Sequence, residues 1–470
     1  MALSSALFSG ISGLSTLGNA MQIIGDNISN VNTVGFKGSA FTFQDLLSQA
    51  VSTSSGSSQV GRGTNLGNIY SSFEQGSFES TGNTTDLAIG GAGFFIVKEP
   101  GTENLYYTRA GNFRFDKDGN LTNPEGYVTQ GWALDSNADD VGTITDIRLS
   151  SFTSPPMATD HIQAIVNLNS GGDDNSTGSD SALAAAWDGT NATPLGDNAY
   201  EYQTTVKAYD SLGSTHDITI YFDKADTASA YEFIVTCNPS EDARTGAAGN
   251  AWAGLLARGL THFTLGSGVI NDIDLWQINP ATGASVAQAE ATDLSNGYFT
   301  IAPSFIAGTA MPVELNFGAR YDGSAWVNSS LSTTQFSRAS TTTFQSATGY
   351  GAGDFQGATV DVDGIITGSY SNGQLIPLYR VALAKFQNLQ GLFKEGGNLF
   401  SQTRDSGAAI TNRPGTSGLG SIAPNALEQS NVDIATEFVK MITTQRGFQA
   451  NGKIITVTDQ MLSELINLKR

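Results

Sequence analysis

The sequence predicts a multidomain α+β chain in which N- and C-terminal coiled-coil helices bracket nested, mainly β domains. Three observations carry that expectation. Apolar residues recur every seven positions at both ends of the 470-residue chain. The stretch between the ends reads as short strands punctuated by turns, which accounts for the 54 glycines better than a long helical fold would. The chain is also too long for one ordinary core, so several domains are expected.

At the N-terminus, Leu7, Leu14, Met21 and Ile28 are seven apart, and Leu3, Leu17 and Ile24 fill the neighbouring row with Gly10 between them. This is one apolar stripe on a helix of roughly 25 residues, about 38 Å long. The last forty or so residues repeat the pattern with Ile434, Met441, Phe448, Ile455 and Leu462, thickened by Phe438, Ile454, Met461, Leu465 and Leu468. Ser430 or Asn431 is expected to cap this second helix, with Asp433 in its first turn. A heptad stripe needs a partner helix, in the same chain or in another. A helical hairpin within one chain would satisfy it too, so the stripes alone leave the function open.

Between the helices, residues 51–66 are rich in Ser, Gly and Thr and read as an extended linker. Asp86–Val97 reads as strand, glycine turn and buried strand. Tyr106–Phe115 and Leu121–Trp132 flank the turn Asp118-Gly119, a hairpin signal. Val206–Phe222 and Tyr231–Cys237 read as strands of a separate β domain, Asp363-Gly364 as a second tight turn, and Leu378–Phe386 as a returning strand. The expected division is 1–30 and 430–470 as terminal helices, 31–75 as linker, 76–150 with 345–429 as an inner β domain, and 151–344 as an inserted outer β domain or domains.

Charge narrows the partners. Acids outnumber bases 44 to 23, a formal −21. Nucleic acid and anionic membranes are therefore poor partners. Residues 150–344 hold 20 of the acids and 6 of the bases, so the middle reads as a water-facing surface. Residues 1–25 carry no charged side chain, fewer than a helix exposed on an ordinary globular surface would carry. The apolar start lacks the basic segment of a cleavable signal peptide, since no Lys or Arg precedes Lys37. No stretch is long and apolar enough to span a bilayer. The single cysteine, Cys237, excludes a disulfide within one chain and reads as a buried apolar residue.

No catalytic constellation emerges, and no cofactor is expected. His161, His216 and His262 are scattered and lack zinc-site spacing. Gly90-Gly91-Ala92-Gly93 runs into the strand Phe94–Val97 rather than into the helix N-terminus a phosphate needs. The runs from Asp116 to Gly119 and from Asp361 to Gly364 place glycine two positions too early for a calcium loop and read as hairpin turns.

Three segments carry a more specific signal. Gly25–Ser39, GDNISNVNTVGFKGS, closely resembles the N-terminal signature of the flagellar axial proteins, the rod, hook and hook–filament junction subunits. DLAIGGAGFF followed by YTRAGNFRF resembles the first inner-domain strands of that family, and Ser430–Leu468 resembles its C-terminal signature. YDSLG at Tyr209–Gly213, and Gly364–Arg380 with Phe386–Phe400, resemble the hook branch, as does the long insertion. Two positions depart from the family pattern: Phe448 replaces a Tyr, and Gly452 replaces a polar residue or Ala.

The resemblance implies a non-enzymatic hook subunit that polymerises into a flexible helical tube, transmits torque from rod to filament and provides an export channel. Leu7, Leu14, Leu17, Met21, Ile24, Ile28, Ile434, Phe438, Met441, Phe448, Ile455 and Leu462 would form the assembly interface. Asn27, Asn30, Asn32, Gly35 and Phe36 would form the family signature that docks the inner helix. Implied partners are further copies of the chain, the distal rod protein, the hook cap, the hook–filament junction protein and the flagellar export apparatus. The implied location is the extracellular hook, reached by an export route that reads no cleavable signal. A rod or junction subunit, or a secreted β-rich enzyme or adhesin with a helical stem, is the alternative.

Overall fold

The computed structural model describes residues 2–53, 56–149, 152–175, 178–290 and 292–467. Leu3 and Leu465 are placed by backbone alone, and Leu468 lies outside the described residues. Among the described residues the α-helices are α1 (Ala2–Ser29), the single turn α2 (Ala182–Ala185) and α3 (Ile434–Asn467); the remainder is strand, loop and a 3-10 turn at Leu389–Gly391. The chain divides into two compact units. One comprises Met1–Phe152, Phe355–Tyr370 and Gln374–Arg470; the other comprises Thr153–Asp354 with Ser371–Gly373. The sequence placed the return from the insertion near 344, ten residues short of this boundary.

In the first unit, α1 leads into β1 (Ser39–Asp45), β2 (Gln49–Thr53), β3 (Gly56–Val60) and β4 (Thr64–Ser71). β1 pairs with β4, and β2 with β3, both antiparallel. Residues 51–66, expected as an extended linker, therefore belong in large part to a paired ribbon. The ribbon lies along α1, where the Ser12 hydroxyl accepts from Thr64 N at 3.3 Å and the Thr16 hydroxyl donates to Thr64 O at 3.2 Å.

The β core of this unit is built from both halves of the sequence. Phe94–Lys98 pairs with Leu105–Thr108 and with Leu383–Lys385, and Val128–Leu134 pairs with Leu375–Val381. Ser421–Pro424 pairs with Leu87–Gly90, and Ala426–Glu428 with Phe78–Ser80. Leu87, Ile89, Phe95, Val97, Val381 and Leu383 meet in one buried cluster. The two Asp-x-Asp-Gly segments are turns. Asp116 Oδ1 accepts from Asp118 N and Asn120 N, each at 2.8 Å, and Asp361 Oδ1 accepts from Asp363 N at 3.0 Å and Ile365 N at 2.8 Å. Each carboxylate thus caps its own backbone, as Asx turns do.

The second unit is a six-stranded antiparallel meander, Tyr202–Tyr209, Thr215–Lys224, Ala230–Thr236, Leu255–Phe263, Ile270–Ile278 and Ser285–Ala287. Val206, Ile218, Ile220, Phe222 and Phe233 pack against Ile162, Val166 and Leu315 from a smaller sheet. The other face, at Ile234, Leu255 and Ile278, is covered by Leu183, Trp187 and Leu195 around α2. Cys237 is buried, and burial pushes its thiol up to about 12.

Candidate functional site

α1 and α3 run along one another, and the seam between them is not the apolar stripe the sequence suggested. A Cβ on Gly10 would lie 3.1 Å from Ile455 Cγ1, one on Gly13 would lie 2.9 Å from the Asn451 side chain, and one on Gly447 would lie 3.2 Å from Leu17 Cδ1. Around these close approaches Thr16, Ala20, Ile24 and Asn27 of α1 are buried, as are Glu437, Thr444 and Thr458 of α3. The helices therefore meet through glycines seated against Leu17, Asn451 and Ile455, with Ile24 and small or polar side chains filling the rest.

Of the expected interface residues, Leu17 and Ile455 meet glycines across this seam and Ile24 is buried in it, while others lie to its sides. Ile24 is fully buried; Leu7, Leu14, Leu17, Met21, Ile28, Met441 and Ile455 are half-buried; Ile434, Phe438, Phe448 and Leu462 are exposed, Phe448 by 46%. The physical reason is rotation. At about 100° per residue, the row that points at α1 contains Glu437, Thr444, Asn451 and Thr458, also seven apart. Ile434, Phe438, Met441 and Phe448 fall on one flank. Ile454, Val457 and Met461 fall on the other, all exposed. The face opposite α1 holds Val439, Arg446, Lys453 and Gln460, seven apart and exposed, with Ile442 and Gln449 beside them and Glu464 near its C-terminal end.

α3 begins differently from expectation. Asp433 is its cap, accepting from Thr436 N at 2.6 Å, and that bond holds the carboxyl below the usual aspartate range. Asn431 is spent elsewhere. Its Oδ1 accepts from Gly38 N at 2.9 Å, and its Nδ2 donates to Ser72 O at 2.8 Å and Glu74 O at 3.1 Å.

The signature after α1 forms an anchor. Asn27 binds Ser39 as a backbone strand would, donating to its carbonyl and accepting from its N–H, both at 2.8 Å, and it also donates to Glu437 Oε2 at 3.4 Å. Asn30 donates to Asp26 O at 2.9 Å and closes the helix; Asn32 is exposed. Gly35 has φ +69°, and its N–H donates to Glu428 O at 2.7 Å. A Cβ there would lie 2.5 Å from Ala110 N, so both the backbone angle and the space require glycine. Phe36 is buried, with Lys394 Nζ 5.6 Å above its ring.

Beneath the signature lies a sealed ionic cluster that the sequence reading missed. Lys37 Nζ is 2.6 Å from Glu428 Oε1 and donates to Glu74 O at 2.7 Å. Arg109 Nη1 is 3.2 Å from Glu428 Oε2, and its Nη2 donates to Gly91 O at 2.7 Å. Gly76 N donates to Glu428 Oε1 at 2.9 Å. Burial pulls both Lys37 and Arg109 below their ordinary ranges, and Glu428 opposes that shift in each. The signal was faint: in Ala426–Glu428 the inward positions alternate, which puts an acid where an apolar residue belongs. The glycine loop at Gly90–Gly93 thus offers a carbonyl to a guanidinium, the opposite of a phosphate cradle.

Four family models match the chain: "Flagella basal body rod protein" over residues 7–37, "Flagellar hook protein FlgE/F/G D1 domain" over 88–160, "Flagellar basal body protein FlaE D2 domain" over 167–350, and "Flagellar basal body rod FlgEFG protein C-terminal" over 423–468. Among curated proteins, the chain is similar to "Flagellar hook protein FlgE" of Borreliella burgdorferi, 34% identical over 99% of both chains. It is similar also to the proteins of that name from Rhizobium meliloti, 31% identical over 100% of both, and Escherichia coli, 30% identical over 98% of both.

Proposed function

This chain belongs to the flagellar hook protein family, and on that premise we propose that α1 and α3 form the inner wall of a helical tube as nested coiled coils. The chain is a structural subunit of the flagellar hook and not an enzyme. The finer reading is that copies associate head to tail, through the heterologous contacts that generate an open helical polymer. The observation that carries it is the exposure of two apolar flanks on α3, around Phe438 and Phe448 on one side and Ile454 and Met461 on the other. A helix with apolar residues on both sides of a satisfied seam is short of lateral neighbours, and helices of adjacent copies supply them. Each large side chain so covered contributes about 1.5–3 kcal/mol per subunit.

In this reading the β units lie outside the helices, nested so that the chain runs outward and returns. Further copies travel through the growing channel from the export apparatus and add beneath a hook cap. The finished tube, extracellular and flexible, joins the distal rod protein to the hook–filament junction protein. The test is electron microscopy of polymer formed from the purified chain, with the subunit verified by mass spectrometry. Tubes with a continuous helical inner layer are expected. Closed rings or soluble dimers, or tubes whose inner layer is β structure, would overturn the reading.

A further inference from the structure

We propose that the face of α3 opposite α1 is a guide for acidic, unfolded protein, presenting rings of positive charge from Arg446 and Lys453 to copies of this chain in transit; this rests on the inner-wall reading above. α1 is occupied on adjacent faces, by α3 and by the β1–β4 ribbon through Ser12, Thr16 and Asn27. α3 packs along α1, and its remaining perimeter divides into the two apolar flanks and one polar face. If the flanks meet neighbouring copies, the polar face is the one left for the bore.

That face is basic at its centre, beyond Val439 in the same heptad row. Arg446 and Lys453 are seven residues apart, about 10 Å along the helix, and both are exposed. Among the described residues neither forms an ion pair, whereas Lys440, nearer the seam, is held by Glu437 at 2.7 Å. Gln449 and Gln460 extend the polar character, Ile442 interrupts it, and Glu464 is the acid toward the C-terminal end. Helical repetition turns each cation into a ring, and a ring in a narrow low-dielectric wall focuses its field on the lumen.

The partner is fixed by charge complementarity. The chain itself carries a formal −21, concentrated in residues 150–344, with 20 acids and 6 bases. A travelling copy would be drawn into such a bore and would slide past it, because isolated cations on flexible stems exchange partners without holding a fixed geometry.

The experiment compares parent, R446Q/K453Q and R446E/K453E chains. Purified proteins are polymerised in vitro, and hook length is followed by electron microscopy after synchronised induction in cells. All three are expected to polymerise equally in vitro, while elongation in cells slows several-fold in the charge-reversed chain and less in the neutral one. Equal elongation rates in all three would overturn the guiding role. Failure of the variants to polymerise in vitro would also overturn it, by showing that this face is a subunit contact. Failure of the parent itself to form tubes with α3 innermost would instead indict the inner-wall reading.

Discussion

The Lys37 ammonium lies 2.6 Å from a Glu428 carboxylate oxygen, and both side chains are sealed from solvent. Arg109 takes the second oxygen, so one acid serves two cations. Removing one member of a buried ionic set leaves charge without compensation, at about 3–5 kcal/mol. Glu428→Ala is expected to destabilise the first unit more than Lys37→Met, because it strands two cations rather than leaving Arg109 to satisfy the acid. Urea unfolding of both variants and of the double variant checks this; equal and additive losses would contradict it.

Phe448→Asp is expected to abolish polymerisation while leaving the monomer's fold intact, since Phe448 is 46% exposed in one chain. Leu14→Asp should also block assembly, with some loss of monomer stability because Leu14 is half-buried beside the seam. Sedimentation and electron microscopy report assembly, and circular dichroism reports the fold. Normal tubes from Phe448→Asp would remove that flank from the interface.

Gly35→Val should be severe. The residue has φ +69°, and the added Cβ meets Ala110 N at 2.5 Å. Left-handed backbone strain alone costs on the order of 1–3 kcal/mol. A lowered melting temperature and loss of tubes are expected. Gly35→Ala, with the same Cβ, should show most of the defect.

Much of this was legible beforehand and some was not. The helices announced themselves through Leu7, Leu14, Met21 and Ile28 and through Ile434, Met441, Phe448 and Ile455. The hairpins announced themselves through Asp-x-Asp-Gly. Which helix faces meet inside one chain was not legible, because Gly10, Gly13, Ala20 and Thr444 are residues a hydrophobic pattern discounts. Asn431 resembled a helix cap because capping and strand-bridging use the same amide. Lys37 and Glu428 stand 391 positions apart, and nothing local joins them.

The second unit should lose stability as pH rises through neutrality. Burial pushes Glu232 up to about 7 from 4.5, against the N–H bonds it accepts from Leu183 at 3.0 Å and Ala184 at 3.3 Å. The folded state therefore binds this proton more tightly than the unfolded state. The contribution is fully present below about 4.5 and is lost as pH passes about 7, a change of about 3 kcal/mol. Trp187, Trp252, Trp276 and Trp326 lie in this unit, so tryptophan fluorescence during denaturant unfolding follows it. Glu232→Gln should flatten the profile between about pH 5 and 8.

Excising residues 154–353 should still permit tubes, with altered curvature or stiffness. Thr153 and Asp354 are direct antiparallel partners, about 5 Å apart, so a short glycine linker can replace the insertion. Contacts between like-charged insertions are screened over about 10 Å at 0.1 M salt, so the shape of parent hooks should vary with ionic strength and that of the excised form much less. An exported, stable excised chain that forms no tubes would place the insertion in the assembly core.

The buried Cys237 makes the chain a quiet background for chemistry. Its thiol is shielded and, with burial pushing it up to about 12, remains protonated at neutral pH, when thiolate is what electrophiles attack. A cysteine introduced at Phe438, Phe448, Ile454 or Lys453 would then be the sole reactive sulfur on the molecule. Small thiol reagents applied to monomer and to polymer would then report, site by site, which of these positions assembly covers, without first removing Cys237.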